Sequence, residues 1–342
     1  MKARSRVVAW VVLGVAVAGC GDGDRPAPVG DGPPPEMTEA PAEVPAWLDE
    51  LAPEAAMAEP QAMSFFGEEL YAQRDEEGLI ASADAALAID PEDPDLLLAA
   101  GRARRHAWHF REAIELYTRA LEEDPMDWRP YRFRGHRHIS LRDFDQAVAD
   151  LEVARERAPL NWDVAYHLGL AYFLAGDFGE AAEEYLRCLG LAEDPAARDA
   201  LSEDFRSCAA NSEDPESLVA MTDWAVRALL REDRGDDARN LLDELPDELP
   251  IETNVAYHHL LELYRGEREV DELLDPDDDA PYRLETVGYG VANRLLVQGD
   301  TARALGVLRE VVEDPTWPGF GRIAAEVELA RLDGMEDGSN PD

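Results

Sequence analysis

Three stretches of this chain superimpose on one another when shifted by 34 residues, and that period constrains the fold more than any other feature. Gly101, Gly135 and Gly169 form one column, and Phe110, Phe144 and Phe178 a second. Ala113, Ala147 and Ala181 form a third, Tyr117, Leu151 and Tyr185 a fourth, and Ala120, Ala154 and Cys188 a fifth; Pro125 and Pro159 close the first two units. Columns at these spacings describe a helical hairpin. A glycine in the first helix, facing an alanine in the second, removes side chains where two helices must approach, and the large residue four positions later fills the adjacent space. Asp93, Asp127 and Asn161 stand where each first helix begins and can accept hydrogen bonds from its free amides. Pro94 follows at a position where a missing N–H costs nothing, and the closing proline stops the second helix. One such unit cannot bury its apolar face alone, so neighbours must stack.

A 34-residue period with these columns resembles the tetratricopeptide repeat (TPR). The resemblance implies an all-α fold, a solenoid of helical hairpins wound into a right-handed superhelix, with a concave groove that takes a peptide or protein. The regular units are 94–127, 128–161 and 162–195, and stepping back by one period finds Gly67, Ala86 and Pro91, which predicts a degenerate repeat over 60–93. Beyond Pro195 the strict period fails while the helix-turn-helix rhythm continues. Helices are expected over 197–210, 216–231, 236–245, 251–264, 267–274, 282–298 and 301–312, with a last one over 322–332 capping the open end. Gly299 and Ala304 repeat the five-residue spacing of Gly176 and Ala181. The expected organisation is four repeats over 60–195, degenerate hairpins over 196–333 and a disordered tail over 334–342. The strings Tyr131–Arg137, Thr286–Val291 and Gly319–Glu326 are similar to segments of uncharacterised bacterial TPR lipoproteins, a likeness that brings no known activity.

The N-terminus carries a separate message. Lys2, Arg4 and Arg6 precede an apolar run from Val7 to Ala18, which is shorter than the roughly 20 residues of a membrane-spanning helix and has the layout of a secretory signal. Val17-Ala18-Gly19-Cys20 resembles a bacterial lipobox, which implies a signal peptide over 1–20, acylation at Cys20 and anchoring without a membrane span. Gly21 in place of an aspartate favours the outer membrane, facing the periplasm. Residues 21–59 read as a disordered tether; up to about Pro45 they are rich in Gly, Pro, Asp and Ala, too poor in large apolar side chains to offset the entropy of ordering. Trp47–Met63 is ambiguous and leaves room for a short helix broken by Pro60.

Composition bounds the partners. With 74 acidic residues against 32 basic ones the net charge is −42, which argues against nucleic acid and anionic lipid. Against that background ten arginines lie between residues 102 and 142: Arg102, Arg104, Arg105, Arg111, Arg119, Arg129, Arg132, Arg134, Arg137 and Arg142. The resemblance places Arg102, Arg105, Arg129, Arg132, His136, Tyr166 and Phe173 on the concave groove. A basic then aromatic groove would suit an acidic or C-terminal peptide. The pattern departs from the carboxylate clamp of chaperone-binding repeats, and the competing account is that these arginines pair with neighbouring acids.

No phosphate-binding glycine loop, GxSxG elbow, HExxH or CxxC occurs, so no enzyme activity, cofactor or metal is expected. Cys188 falls in a small-residue column and Cys208 lies beyond it; two buried thiols are the default, with a disulfide open to an exported chain. The function expected is a non-catalytic interaction scaffold or adaptor of the bacterial envelope. The alternative is a periplasmic binding protein for a glycan or other small ligand, which a deep pocket lined by Trp162, Tyr166 and Phe173 would favour.

Overall fold

In a computed structural model, residues 47–48, 51–193, 206–246, 249–274 and 283–336 are described. The expected signal peptide, Cys20 and the tether up to residue 46 lie outside them, as do most of the helix expected over 197–210 and residues 337–342 of the expected tail.

Three regular hairpins stand where the 34-residue period puts them: α3 (Pro94–His106) with α4 (Phe110–Glu123), α5 (Trp128–Ser140) with α6 (Phe144–Arg157), and α7 (Trp162–Ala175) with α8 (Phe178–Gly190). The caps behave as the sequence indicates. Asp93 accepts from the amides of Asp95 and Leu96, Asp127 from Arg129 and Asn161 from Val164. The glycine column is a close approach: a Cβ on Gly169 would lie 2.5 Å from the Tyr185 ring, and the Tyr117 ring crowds Gly101 in the same way. Three further hairpins follow: α10 (Pro215–Arg231) with α11 (Gly235–Asp243), α12 (Val255–Arg265) with α13 (Val270–Leu273), and α14 (Gly288–Val297) with α15 (Thr301–Val311). A π-helical turn, 283–287, leads into α14.

One device closes every hairpin. The first helix ends on a residue with positive φ, and the next amide reaches back five residues: His109 to Arg104 O, Asp143 to His138 O, Asp177 to Tyr172 O, Arg234 to Leu229 O, Glu267 to Glu262 O and Asp300 to Leu295 O, at 2.9 to 3.1 Å. This is the Schellman closure, which satisfies carbonyls left over at a helix C-terminus. The left-handed residues are Trp108, Arg142, Gly176, Asp233, Gly266 and Gly299. They recur every 34 residues, skip 57, then recur every 33. The skip is the irregular stretch between α8 and α10. It holds the short helix α9 (Cys208–Ser212) and is fastened by a disulfide between Cys188 and Cys208, Cα–Cα 5.2 Å, in place of two free thiols. Backbone bonds from Cys208 to Leu160 O and from Trp162 to Arg206 O tie the same stretch to the entrance of α7.

The last helix, α16 (Phe320–Glu336), begins two residues before the expected start and runs three residues into the expected tail. It does not cap an open end. It packs on α14 and α15 and also reaches α7, bringing the end of the solenoid back to its beginning. The row of left-handed turns receives it. Trp108 meets Trp317 edge to face at 5.6 Å, Arg142 pairs with Glu326 at 2.7 Å, and Arg331 donates to Leu174 O beside Gly176 at 2.8 Å.

The expected boundaries at the N-terminal side need correcting. Leu48 and Leu51 are buried with Leu87, Leu97 and Tyr117, and α1 (Pro53–Ala56) follows, so the folded body starts before residue 59. Residues 60–93 are half of a repeat. Only the second helix, α2 (Leu79–Leu87), is present, and a two-stranded hairpin, β1 (Ala62–Met63) with β2 (Glu69–Leu70), replaces the first. Gly67 and Gly78 both adopt left-handed φ, 79° and 69°, which breaks a helix where the period would place one. Ala62 and Leu70 face inward while Met63 and Glu69 face out, a strand alternation.

Candidate functional site

All seven expected groove residues lie on the first helices of adjacent repeats. Arg102 sits over the Phe133 ring at 5.7 Å, and Arg132 over the same ring at 4.8 Å. Arg132 also pairs with Asp163 and reaches His167 Nδ1 at 3.4 Å. His136 stands 4.2 Å from the His167 ring, and Tyr166 meets that ring edge-on at 5.4 Å. Arg129 is held by Asp127 at 2.7 Å and by Asp95 at 2.8 Å, which raises its pKa. Positive charge gathers on one phenol: Arg137, Arg105, Arg132 and Arg102 all act on Tyr117, whose burial nevertheless pushes its pKa up to about 12.

Four of the seven are not on a surface. Arg132, His136, Tyr166 and Phe173 are buried, and Phe320 at the start of α16 lies over the His136 ring at 5.2 Å. Phe173 points elsewhere in the core, edge-on to Trp224 at 5.2 Å. Trp162, Tyr166 and Phe173 are packed side chains of the main core, not the walls of a deep pocket. Arg102, Arg105 and Arg129 remain half-exposed at the margin. The physical reason is curvature: the small rotation between stacked hairpins brings α16 over the strip that the sequence assigns to an incoming peptide.

Carboxylates accompany the arginines in this region. Arg104 pairs with Asp84, Arg134 with Asp150 through both oxygens, and Arg142 with Glu326. Further along, Asp223 and Arg227 form a wholly buried pair at 2.5 Å, with Arg227 over the rings of Trp224 and Tyr289 at 4.4 and 5.3 Å. Sequence reasoning missed this pair, which sits one helical turn apart on α10 and is marked by two charges amid the apolar run Leu218–Leu230. Among the described residues no three His, Cys, Asp or Glu side chains converge to hold a metal ion, and no helix is long and apolar enough to cross a membrane.

Residues 134–198 match the tetratricopeptide repeat family model. Small glutamine-rich tetratricopeptide repeat-containing protein 2 of Saccharomyces cerevisiae is 34% identical over 98 residues, which span 29% of this chain and 28% of that protein. Among solved structures, MamA aligns at 17% identity over 56% of this chain and 86% of its own, with a TM-score of 0.39. YrrB, described as a TPR protein with an unusual peptide-binding site, aligns at 15% identity over 73% of this chain and 99% of its own, with a TM-score of 0.40. Such repeats are typically non-catalytic scaffolds for protein–protein interaction. The regular hairpins, their glycine and alanine columns and this family match show that the chain contains tetratricopeptide repeats over 134–198, within the row of regular hairpins that begins at Pro94.

Proposed function

We propose that the protein is a non-catalytic interaction scaffold of the bacterial cell envelope, acylated at Cys20, held to the outer membrane on its periplasmic side and engaging a protein or peptide partner. The observation that carries the location is the Cys188–Cys208 disulfide in a chain whose first 20 residues have the layout of a lipoprotein signal. Disulfides persist in oxidising compartments such as the periplasm and are rare in the cytosol. The partner's contact on the concave side is the half-exposed margin formed by Arg102, Arg105 and Arg129, because the deeper positions are buried, His136 beneath Phe320 of α16. Guanidinium groups there favour an acidic segment.

Metabolic labelling with a palmitate analogue, followed by membrane fractionation, tests the anchor. Label and outer-membrane partitioning should both be lost in Cys20→Ser; label retained in that variant would overturn the anchor. Capture from native membranes, comparing the intact chain with an Arg102→Glu, Arg105→Glu variant of unchanged melting temperature, tests the margin. Partners retained by the variant would rule that margin out.

A further inference from the structure

A second surface, away from the concave margin, also exposes apolar side chains. Met63, Phe65, Phe66 and Tyr71, four of the eight large apolar side chains exposed on the described surface, fall on the β1–β2 hairpin and its flank. Exposed apolar side chains gathered in one short segment mark an interaction site more often than scattered single residues do. Beside it opens a cavity of about 450 Å³, lined by Met63 and Phe65 on the hairpin side and by Arg111, Leu141 and Asp143 on the repeat side. That volume lies within the range of about 300–1,000 Å³ usual for ligand pockets.

The cavity has two chemically different ends. Phe65, stacked on Phe144 at 6.3 Å, makes an apolar wall with Met63. At the other end Gln61 fixes Arg111 twice, accepting the Arg111 amide on Oε1 at 2.9 Å and the guanidinium Nε on its backbone oxygen at 2.7 Å. The two terminal nitrogens of Arg111 form no ion pair with any described residue, whereas Arg104, Arg129, Arg132, Arg134 and Arg142 each hold a carboxylate. Asp143, the residue that precedes α6, lines the same space. It makes no side-chain capping bond, and its carboxylate faces His138 at 3.5 Å instead. The terminal nitrogens of Arg111 favour one anionic group.

We propose that this cavity binds the C-terminal residue of a partner polypeptide, with the free α-carboxylate on Arg111 and an apolar last side chain against Met63 and Phe65. A single carboxylate at the end of an apolar segment suits the site better than an acidic stretch or an anionic membrane. Glu59, Glu68 and Glu69 are exposed on and beside the hairpin, and a net charge of −42 repels anything carrying many negative charges. Capture of a C-terminal carboxylate is a recurring mode of peptide recognition. The site deepens the scaffold reading but is independent of the lipid anchor and the concave arginines.

Fluorescein-labelled tetrapeptides ending in Leu, Met or Phe, each made as free acid and as C-terminal amide, test the site against the full-length chain in detergent by fluorescence anisotropy. At least one free acid should bind about tenfold more tightly than its amide. Arg111→Met should abolish that difference, Phe65→Ser should weaken both forms, and Asp143→Asn, which removes a competing negative charge, should tighten the free acid about two- to fivefold. Arg102→Glu, Arg105→Glu should leave binding unchanged, which separates this site from the concave margin. Because Arg111 also braces Gln61, melting curves for each variant accompany the titrations, and the gain from Asp143→Asn cannot come from misfolding. Equal binding of acid and amide, an unaltered preference in Arg111→Met, or no binding of any of the three free acids at about 1 mM would overturn the proposal. So would hairpin-dependent binding to neutral phosphatidylcholine vesicles without peptide binding, which would assign the patch to a lipid surface.

Discussion

Arg142 and Glu326 lie 184 residues apart in the chain and share a buried two-point ion pair, Nη2 to Oε1 at 2.7 Å and Nε to Oε2 at 3.2 Å. Arg142 is also the left-handed residue that closes the second regular hairpin, and its Nη2 donates to Trp317 O at 3.0 Å. One side chain thus ends a repeat and receives the returning last helix. Arg322 reaches the same carboxylate from α16 at 3.3 Å and extends the network to Glu68 on the β-hairpin.

Removing one partner of such a pair leaves an uncompensated charge in the interior, which costs about 3–5 kcal/mol. Glu326→Leu should therefore lower the unfolding free energy by that order, and Arg142→Met, Glu326→Leu should recover part of the loss, since the remaining guanidinium is then Arg322 with Glu68 as its partner. Urea denaturation of the two variants beside the parent checks this. A double variant no more stable than Glu326→Leu would mean that the pair does not act as a unit.

The glycine column makes a steric prediction. A methyl group on Gly169 has nowhere to go except into the Tyr185 ring, which is itself fully buried. Overpacking of this kind costs about 1–3 kcal/mol. Gly169→Ala should fall in that range, whereas Gly306→Ala, where a Cβ meets nothing within 4 Å on the middle of α15, should be neutral or stabilising by up to about 1 kcal/mol through helix propensity. Thermal melts of the two single variants compare them directly.

The disulfide links residues 20 apart and fastens the stretch that interrupts the period. Closing a loop of that size in the unfolded chain is worth about 3 kcal/mol in the chain-entropy model. Reduction, or Cys188→Ala with Cys208→Ala, should lower stability by about that amount and expose the backbone bonds at Leu160, Arg206 and Cys208 to faster amide exchange. A reduced protein with the same urea midpoint and the same exchange pattern would contradict this.

The regular hairpins were legible in the sequence because glycine, alanine and ring columns report helix–helix contact directly. The turn row was legible at Gly176 and Gly299, where a glycine precedes an alanine by five residues, and was not read at Gly266 or at Trp108, Arg142 and Asp233, where the left-handed residue is not a glycine. A subtler signal would have found most of them. An alanine with little or no exposure stands five residues after each of Trp108, Arg142, Gly176, Asp233 and Gly299: Ala113, Ala147, Ala181, Ala238 and Ala304. Two things were not legible. Return of α16 depends on small rotations summed over six hairpins, which no local pattern encodes, and so Arg132, His136 and Tyr166 read as a groove when they are interior. The cavity beside Phe65 was missed because Gly67 fitted the helical glycine column one period back, while its backbone makes a left-handed turn.

The buried pair of Asp223 and Arg227 makes stability depend on pH in a direction opposite to that of an exposed salt bridge. Both side chains are fully enclosed, and neither oxygen of Asp223 accepts a well-aligned hydrogen bond. Desolvation therefore outweighs the attraction of Arg227, and the carboxyl is pushed from 3.8 up to about 6. Glu285, also enclosed, is raised for the same reason despite the Gly321 amide on its Oε1 at 2.7 Å. A carboxyl whose folded pKa exceeds its unfolded value stabilises the protein most when protonated. Its contribution is complete below about pH 3.8 and is lost as pH rises through about 6, for a total of about 3 kcal/mol. Asp223→Asn cannot titrate, and it leaves Arg227 beside a neutral side chain at every pH, as the protonated parent does below about pH 6. The informative quantity is the difference between parent and variant from urea unfolding at pH 4.5 and 7. The parent's advantage should shrink between the two, because only the parent must release the proton. If the advantage grows with pH instead, the attraction of Arg227 exceeds the cost of burial and the pair is fully ionised in the folded protein.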